Sequence, residues 1–165
     1  MTKQAYREIR KARVRDGQAR LRYCMEYHKV TGDPLYLWHA YAVADEYGLQ
    51  PPPLVVQYLR KSAKALTTHT LKTPAQLLDA LGLSVRGRGG LSHRSLEAER
   101  RMNFIGYYLE QRPGFETPKL AAAKAHVTPD KFRRWVKKYR CLVELTWTFA
   151  PLREKWAALV DKYVA

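Results

Sequence analysis

The chain is expected to be all-α, and three observations lead there. A capping side chain stands directly before a proline four times, at Asp33-Pro34, Thr73-Pro74, Thr117-Pro118 and Thr128-Pro129. The cap oxygen satisfies open amides of a first helical turn, and a proline placed there sacrifices no hydrogen bond. Stop signals follow helix-like stretches at Gly48, Gly82 and Pro113-Gly114. No segment sustains the apolar–polar alternation of a half-buried strand. At 165 residues the chain is long enough for a hydrophobic core, as one domain or two small ones.

Residues 1–30 read as a basic helical arm, either one long helix or two helices interrupted near Asp16-Gly17. Leu21, Cys24, Met25 and His28 share a face of its second half. The first half offers little apolar content beyond Tyr6, Ile9 and Val14, so it is expected to be disordered or to stand free of the core. Residues 31–83 form a neutral helical unit. Leu35 to Tyr47 is apolar almost all round, as a buried central helix would be. Pro51-Pro52-Pro53 is a stiff connector before a helix from about Leu54 to Thr70, with Val55, Tyr58, Leu59 and Leu66 inward. A short helix, Ala75 to Leu81, follows, with Thr73 and Gln76 spaced for a capping box.

Residues 84–95 read as a glycine- and arginine-rich linker. Within 96–140, Leu96 to Gln111 is expected as a helix with Met102, Ile105, Tyr108 and Leu109 inward. Two short helices then follow between Thr117 and Arg140. Residues 141–165 read as an amphipathic tail helix interrupted at Pro151, its stripe made of Leu152, Trp156, Leu159, Val160 and Tyr163.

Charge divides the chain more sharply than hydropathy does. The formal net charge is +15; residues 1–30 carry nine basic and three acidic groups, residues 31–83 four of each, and residues 84–165 seventeen and eight. A surplus serving only solubility needs no such partition, whereas an electrostatic footprint for a polyanion does. The two cysteines, Cys24 and Cys141, supply neither a disulfide framework nor metal spacing, which fits a reducing compartment. The basic amino terminus is not followed by the apolar stretch of a secretory signal. Leu35 to Ala44, broken by His39, is too short to cross a bilayer. A soluble, cytoplasmic protein is expected.

The most informative segment is Thr117 to Arg140. Thr117 with Pro118 and Thr128 with Pro129 open two helices that only His126-Val127 separates. Ala121, Ala122 and Ala125 are small enough for a close crossing, and Val127, Phe132, Trp135 and Val136 supply the apolar surface it buries. Eight Lys or Arg stand between Lys119 and Arg140 against the single Asp130. These 24 residues resemble the helix-turn-helix superfamily of DNA-binding proteins. The turn position usually held by Gly in that family is His126 here, which calls for a histidine at positive φ.

That resemblance implies a second helix, residues 129–139, lying in the major groove of double-stranded DNA with its first residues at the base edges. Asp130, Lys131, Arg133, Arg134 and Lys137 are then the base-facing candidates. Arg addresses guanine with two hydrogen bonds, and Asp accepts from cytosine. Lys119, Lys124, Thr128 and Lys138 are better placed for phosphates. The competing view is an ordinary helical hairpin with a solvated basic face. A second, weaker resemblance joins Gly32-Asp33-Pro34-Leu35-Tyr36-Leu37-Trp38 and residues 48–59 to small bacterial or phage proteins, and it implies no defined activity.

Arg86-Gly87-Arg88 resembles the core of minor-groove AT-hook peptides without the proline that normally follows. It equally suits an RNA-binding arginine-glycine element, and the reading preferred over both is a flexible linker with incidental charge. Arg7, Arg10, Lys11, Arg13, Arg15, Arg20 and Arg22 suit either a phosphate-gripping arm or a solvated helix. The eleven tyrosines and four tryptophans mostly sit at core spacing. The five histidines do not pair at metal-ligand spacing, and no phosphate cradle, nucleophile elbow or catalytic carboxylate pair stands out. No enzyme activity, cofactor or metal is expected.

The function expected is a transcriptional regulator of bacterial or phage origin, with 31–83 as an interaction or dimerisation module and a homodimer as one arrangement. The rivals are a DNA-packaging or recombination accessory factor, an RNA-binding protein and an inhibitor that binds another protein.

Overall fold

The computed structural model describes residues 2–68, 73–81, 83 and 91–164, without the side chains of 91–95, 150, 153, 155–157 and 159–164. Among the described residues the chain forms seven helices and no strand: α1 (Lys3–Thr31), α2 (Leu35–Tyr47), α3 (Pro53–Thr68), α4 (Pro74–Ala80), α5 (Leu91–Leu109), α6 (Pro118–Lys124) and α7 (Pro129–Val164). The all-α expectation holds. No helix among these residues is long and apolar enough to cross a membrane.

Helix starts follow the caps. Thr73 and Gln76 close their capping box at 3.3 and 3.1 Å. At α2 the expectation needs correction, since Pro34 itself stands at the cap and Asp33 accepts the Leu35 amide at 3.0 Å in a turn outside the helix. Gly48 ends α2 at φ 62°, with the Leu49 amide reaching back to the Ala44 carbonyl at 2.7 Å. Such a left-handed terminus is where glycine costs least.

Three expectations about continuity need correction. First, of the two readings of residues 1–30 the single long helix holds, but its first half does not stand free: Ala5, Asp16 and Gly17 are all buried. At Gly17 the Tyr47 side chain of α2 packs directly against the α1 backbone. A Cβ built there would lie 2.6–2.7 Å from three side-chain carbons of Tyr47, inside any real contact distance. Beside it the Asp16 carboxylate, 3% exposed, accepts from the Tyr47 hydroxyl at 2.7 Å and from Arg20 Nε at 3.0 Å. Second, Pro151 lies inside α7 rather than ending it, so the expected reading helix 129–139 and the tail are one helix of 36 residues. Third, α5 begins at Leu91, inside the stretch expected as linker to residue 95.

α1 organises the packing. It makes the most extensive interhelical contact with α7 and nearly as much with α2, and it also touches α5. One core joins Tyr27 of α1 to Ala98, Met102 and Ile105 of α5, Ala121 and Ala122 of α6, and Phe132, Tyr139, Leu142 and Val143 of α7. A second joins Cys24 of α1 to Leu37, Ala40 and Val55 of α2 and α3. Tyr36 touches both. Its ring stacks on Tyr27 at 3.7 Å, and Tyr23 stands edge-on to Phe149 of α7 at 5.3 Å.

Beyond this, among the described residues, α4 packs only on α3 and buries none of its own residues. The Tyr58 hydroxyl, which accepts from Trp38 Nε1 at 3.2 Å, donates to the Leu81 carbonyl and ties this end down.

Burial pushes the Cys24 thiol up to about 11. Burial also raises Tyr36 and lifts Tyr23 to about 12; Tyr47 rises to about 12 through desolvation and its bond to Asp16. A phenol whose value is raised on folding stabilises the fold below the ordinary value near 10, and that contribution is lost as pH climbs toward 12. Unfolding free energy is therefore expected to fall as pH rises from about 10 to 12, with tyrosinate absorbance appearing together with the loss of helical circular dichroism. Gly17→Ala is expected to cost about 1–3 kcal/mol in urea unfolding, because Tyr47 has to shift to admit the methyl group.

Candidate nucleic-acid interface

The α6–α7 pair is assembled from its ends inward. Thr117 accepts the Leu120 amide and Thr128 the Lys131 amide, each at 3.3 Å. The last turn of α6 closes with the His126 amide on the Ala123 carbonyl at 3.1 Å and the Val127 amide on the Ala122 carbonyl at 3.0 Å. This is a Schellman terminus, whose pivot residue must be left-handed. His126 takes that place at φ 55°, as expected for the turn. The preceding helix uses the same device: Gln111 at φ 54° ends α5, with the Arg112 amide on the Tyr107 carbonyl at 3.0 Å.

The buried side of the pair is equally defined. Ala121, Ala122 and Ala125 are buried and let α7 pass closely; Phe132 is fully buried, and Val127, Trp135 and Val136 pack around it. Tyr108 of α5 stands edge-on to Phe132 at 5.6 Å. With Phe132 held inward, helical geometry turns the residues on either side of it outward. Asp130, Lys131, Arg133, Arg134, Lys137 and Lys138 are all exposed, as are Lys119, Lys124 and Thr128. The structure therefore brings these nine sequence candidates onto α6, the turn and the first three turns of α7. Arg86 and Arg88 lie outside the described residues.

Local electrostatics differentiates the cations. Asp130 holds Arg133 Nη1 at 2.6 Å, while Arg134 Nε reaches the Asp130 carbonyl at 3.5 Å. Lys131 Nζ lies 5.9 Å from the centroid of Trp135 and Lys138 Nζ 5.4 Å from that of Tyr139. Lys119, Lys124 and Lys137 have no ion pair among the described residues. All of these contacts are solvated and worth little in energy, so they set direction rather than stability.

Two residues that sequence reasoning passed over shape the same surface. Arg101 of α5 is clasped by Glu97 at 3.0 Å, lies 5.1 Å from the Trp135 centroid and reaches the Tyr139 hydroxyl at 3.4 Å. It braces α7 against α5, and its signal in the sequence was only a helical i,i+4 acid partner. Arg140 continues the cationic surface one turn on, where Glu144 accepts from it at 2.6 Å. Of the tail stripe, Leu152 is half-buried within the single chain, and the side chains of Trp156, Leu159, Val160 and Tyr163 lie outside the described residues. Among the described residues no cluster of His, Cys, Asp and Glu could hold a metal ion.

No family model, no curated protein and no solved structure matches the chain.

His126 gives a direct test of the turn. His126→Gly is expected to stabilise the fold by about 0.5–1 kcal/mol, the relief of a left-handed side chain less the added freedom of the unfolded chain. His126→Val, β-branched at the same φ, is expected to destabilise it by about 1–2 kcal/mol; thermal melts of the three proteins provide the comparison.

Proposed function

We propose that the protein binds double-stranded DNA sequence-specifically through a helix-turn-helix formed by α6 and α7, and acts as a transcriptional regulator of bacterial or phage origin. The observation that carries this reading is the exposure of Asp130, Lys131, Arg133, Arg134, Lys137 and Lys138 around the start of a helix whose other side is fixed by Phe132. A rigid amphipathic helix with a cationic leading end suits the major groove, where guanidinium and carboxylate groups meet complementary base edges.

In this reading Arg133 and Arg134 address guanine, and Asp130 orients Arg133 or accepts from cytosine. Lys131 and Lys137 reach neighbouring base edges. Lys119, Lys124, Thr128 and Lys138 bind the flanking phosphates and fix the register. The unpaired thiols Cys24 and Cys141 suit a cytoplasmic protein.

Selection of bound sequences from random duplex DNA tests the proposal, read beside the mass of the complex. Arg133→Ala and Arg134→Ala are each expected to weaken binding to the selected duplex by about 1–3 kcal/mol, roughly 5- to 150-fold, with a much smaller loss on random duplex. Equal losses on both would reduce these residues to phosphate clamps. Selection that enriches no sequence would overturn the proposal.

A further inference from the structure

The cations of α1 are used in two different ways. Arg13 donates to the Glu46 carbonyl at 2.7 Å and Arg20 to the Asp16 carboxylate at 3.0 Å, so both serve the contact with α2. Arg7, Lys11, Arg15 and Arg22 are exposed and make no ion pair among the described residues. At 3.6 residues per turn, their spacings of four, four and seven keep them on one narrow stripe. Gln18 and Lys29 share that side, Lys29 pairing with Glu26 at 3.5 Å. From Arg7 to Arg22 the four unpaired cations span about 23 Å at 1.5 Å per residue.

The fold does not need such a stripe. Arg7 with Lys11, and Lys11 with Arg15, are like charges at i,i+4, an arrangement that weakens a helix rather than supporting it. The opposite side of α1 is held by α2 and α7, so the charged side is presented on a rigid support. Tyr23 meets Phe149, and Tyr27 shares a core with Tyr139 and Leu142, so α1 runs antiparallel beside the later part of α7. Phe149 lies sixteen residues beyond Arg133, about 24 Å along the helix. From that level Arg22, Arg15, Lys11 and Arg7 follow in turn away from the α6–α7 turn.

We propose that the outward stripe of α1 is a second DNA-binding surface, gripping the phosphate backbone of a duplex without reading its sequence. Its position away from the α6–α7 turn gives the protein two separate contacts with DNA. The inference does not depend on α7 reading bases.

The test is the salt dependence of binding to a random-sequence duplex. Each phosphate that a variant no longer neutralises makes the slope of log K against log salt shallower by about 0.9. The variant Arg7→Gln/Lys11→Gln/Arg15→Gln/Arg22→Gln is expected to bind with a slope shallower by about 2–4, and to melt no lower than the parent because glutamine keeps helix propensity and removes like-charge pairs. If the quadruple variant does not fold, the single variants Arg7→Gln and Arg22→Gln replace it, each with a slope shallower by about 0.9. An unchanged slope in a folded variant overturns the proposal, including the case in which the stripe serves an acidic protein instead. If selection enriches no sequence, the base-reading role of α7 fails, while the slope comparison still decides the role of α1.

Discussion

The fold depends on the seating of α1 against α7 and α2 at once. Tyr27 is the residue at which this happens: fully buried, it stacks on Tyr36 of α2 and shares a core with Ile105, Phe132 and Leu142. Aromatic rings supply large buried area with a fixed geometry, so one such residue can set the relation among several helices. The neutral unit and the cationic head are therefore joined through packing as well as through the intervening chain. Removing the Tyr27 ring would open both sides of the molecule together.

At the head, backbone chemistry determines which charges face water. Two threonine caps start the helices, a left-handed histidine reverses the chain, and three alanines allow α7 to pass close to α6. Once Phe132 is anchored, the neighbouring cations have only one side on which to emerge. The single acid among them, Asp130, already holds Arg133. Any anion that engages Arg133 must compete with that carboxylate, which favours a ligand offering a matched pair of acceptors over one offering a diffuse negative charge.

Much of this was legible in the chain because helix ends have local causes. The threonine–proline pairs, the Gly48 stop and the demand for positive φ at His126 all correspond to features of the structure, and so does the outward position of the nine candidates from Lys119 to Lys138. What was not legible depends on distant partners. Gly17 resembles a helix break until Tyr47 is seen filling the space its missing side chain leaves. Pro151 resembles a stop, yet α7 continues through it, with α1 packed along the helix. The first half of α1 looked unable to join a core because its inward side is built from Ala5, Asp16 and Gly17. Small and polar residues carry no hydrophobic signal, although they permit close approach and paired burial.

The partnership of α1 with α7 also sets an order in time. Tyr23 and Phe149 are 126 residues apart in the chain, so the helix made early has its main partner made late. During synthesis α1 can dock on α2 as soon as it emerges, with α3 then packing on α2, but the side of Tyr27 that meets α5 and α7 stays uncovered until α5 and α7 have been made. Contacts of this separation slow folding and leave a sticky intermediate in the interval. The repelling cations along α1 lie on the opposite side of that same helix. They would keep such unfinished chains apart until α7 arrives.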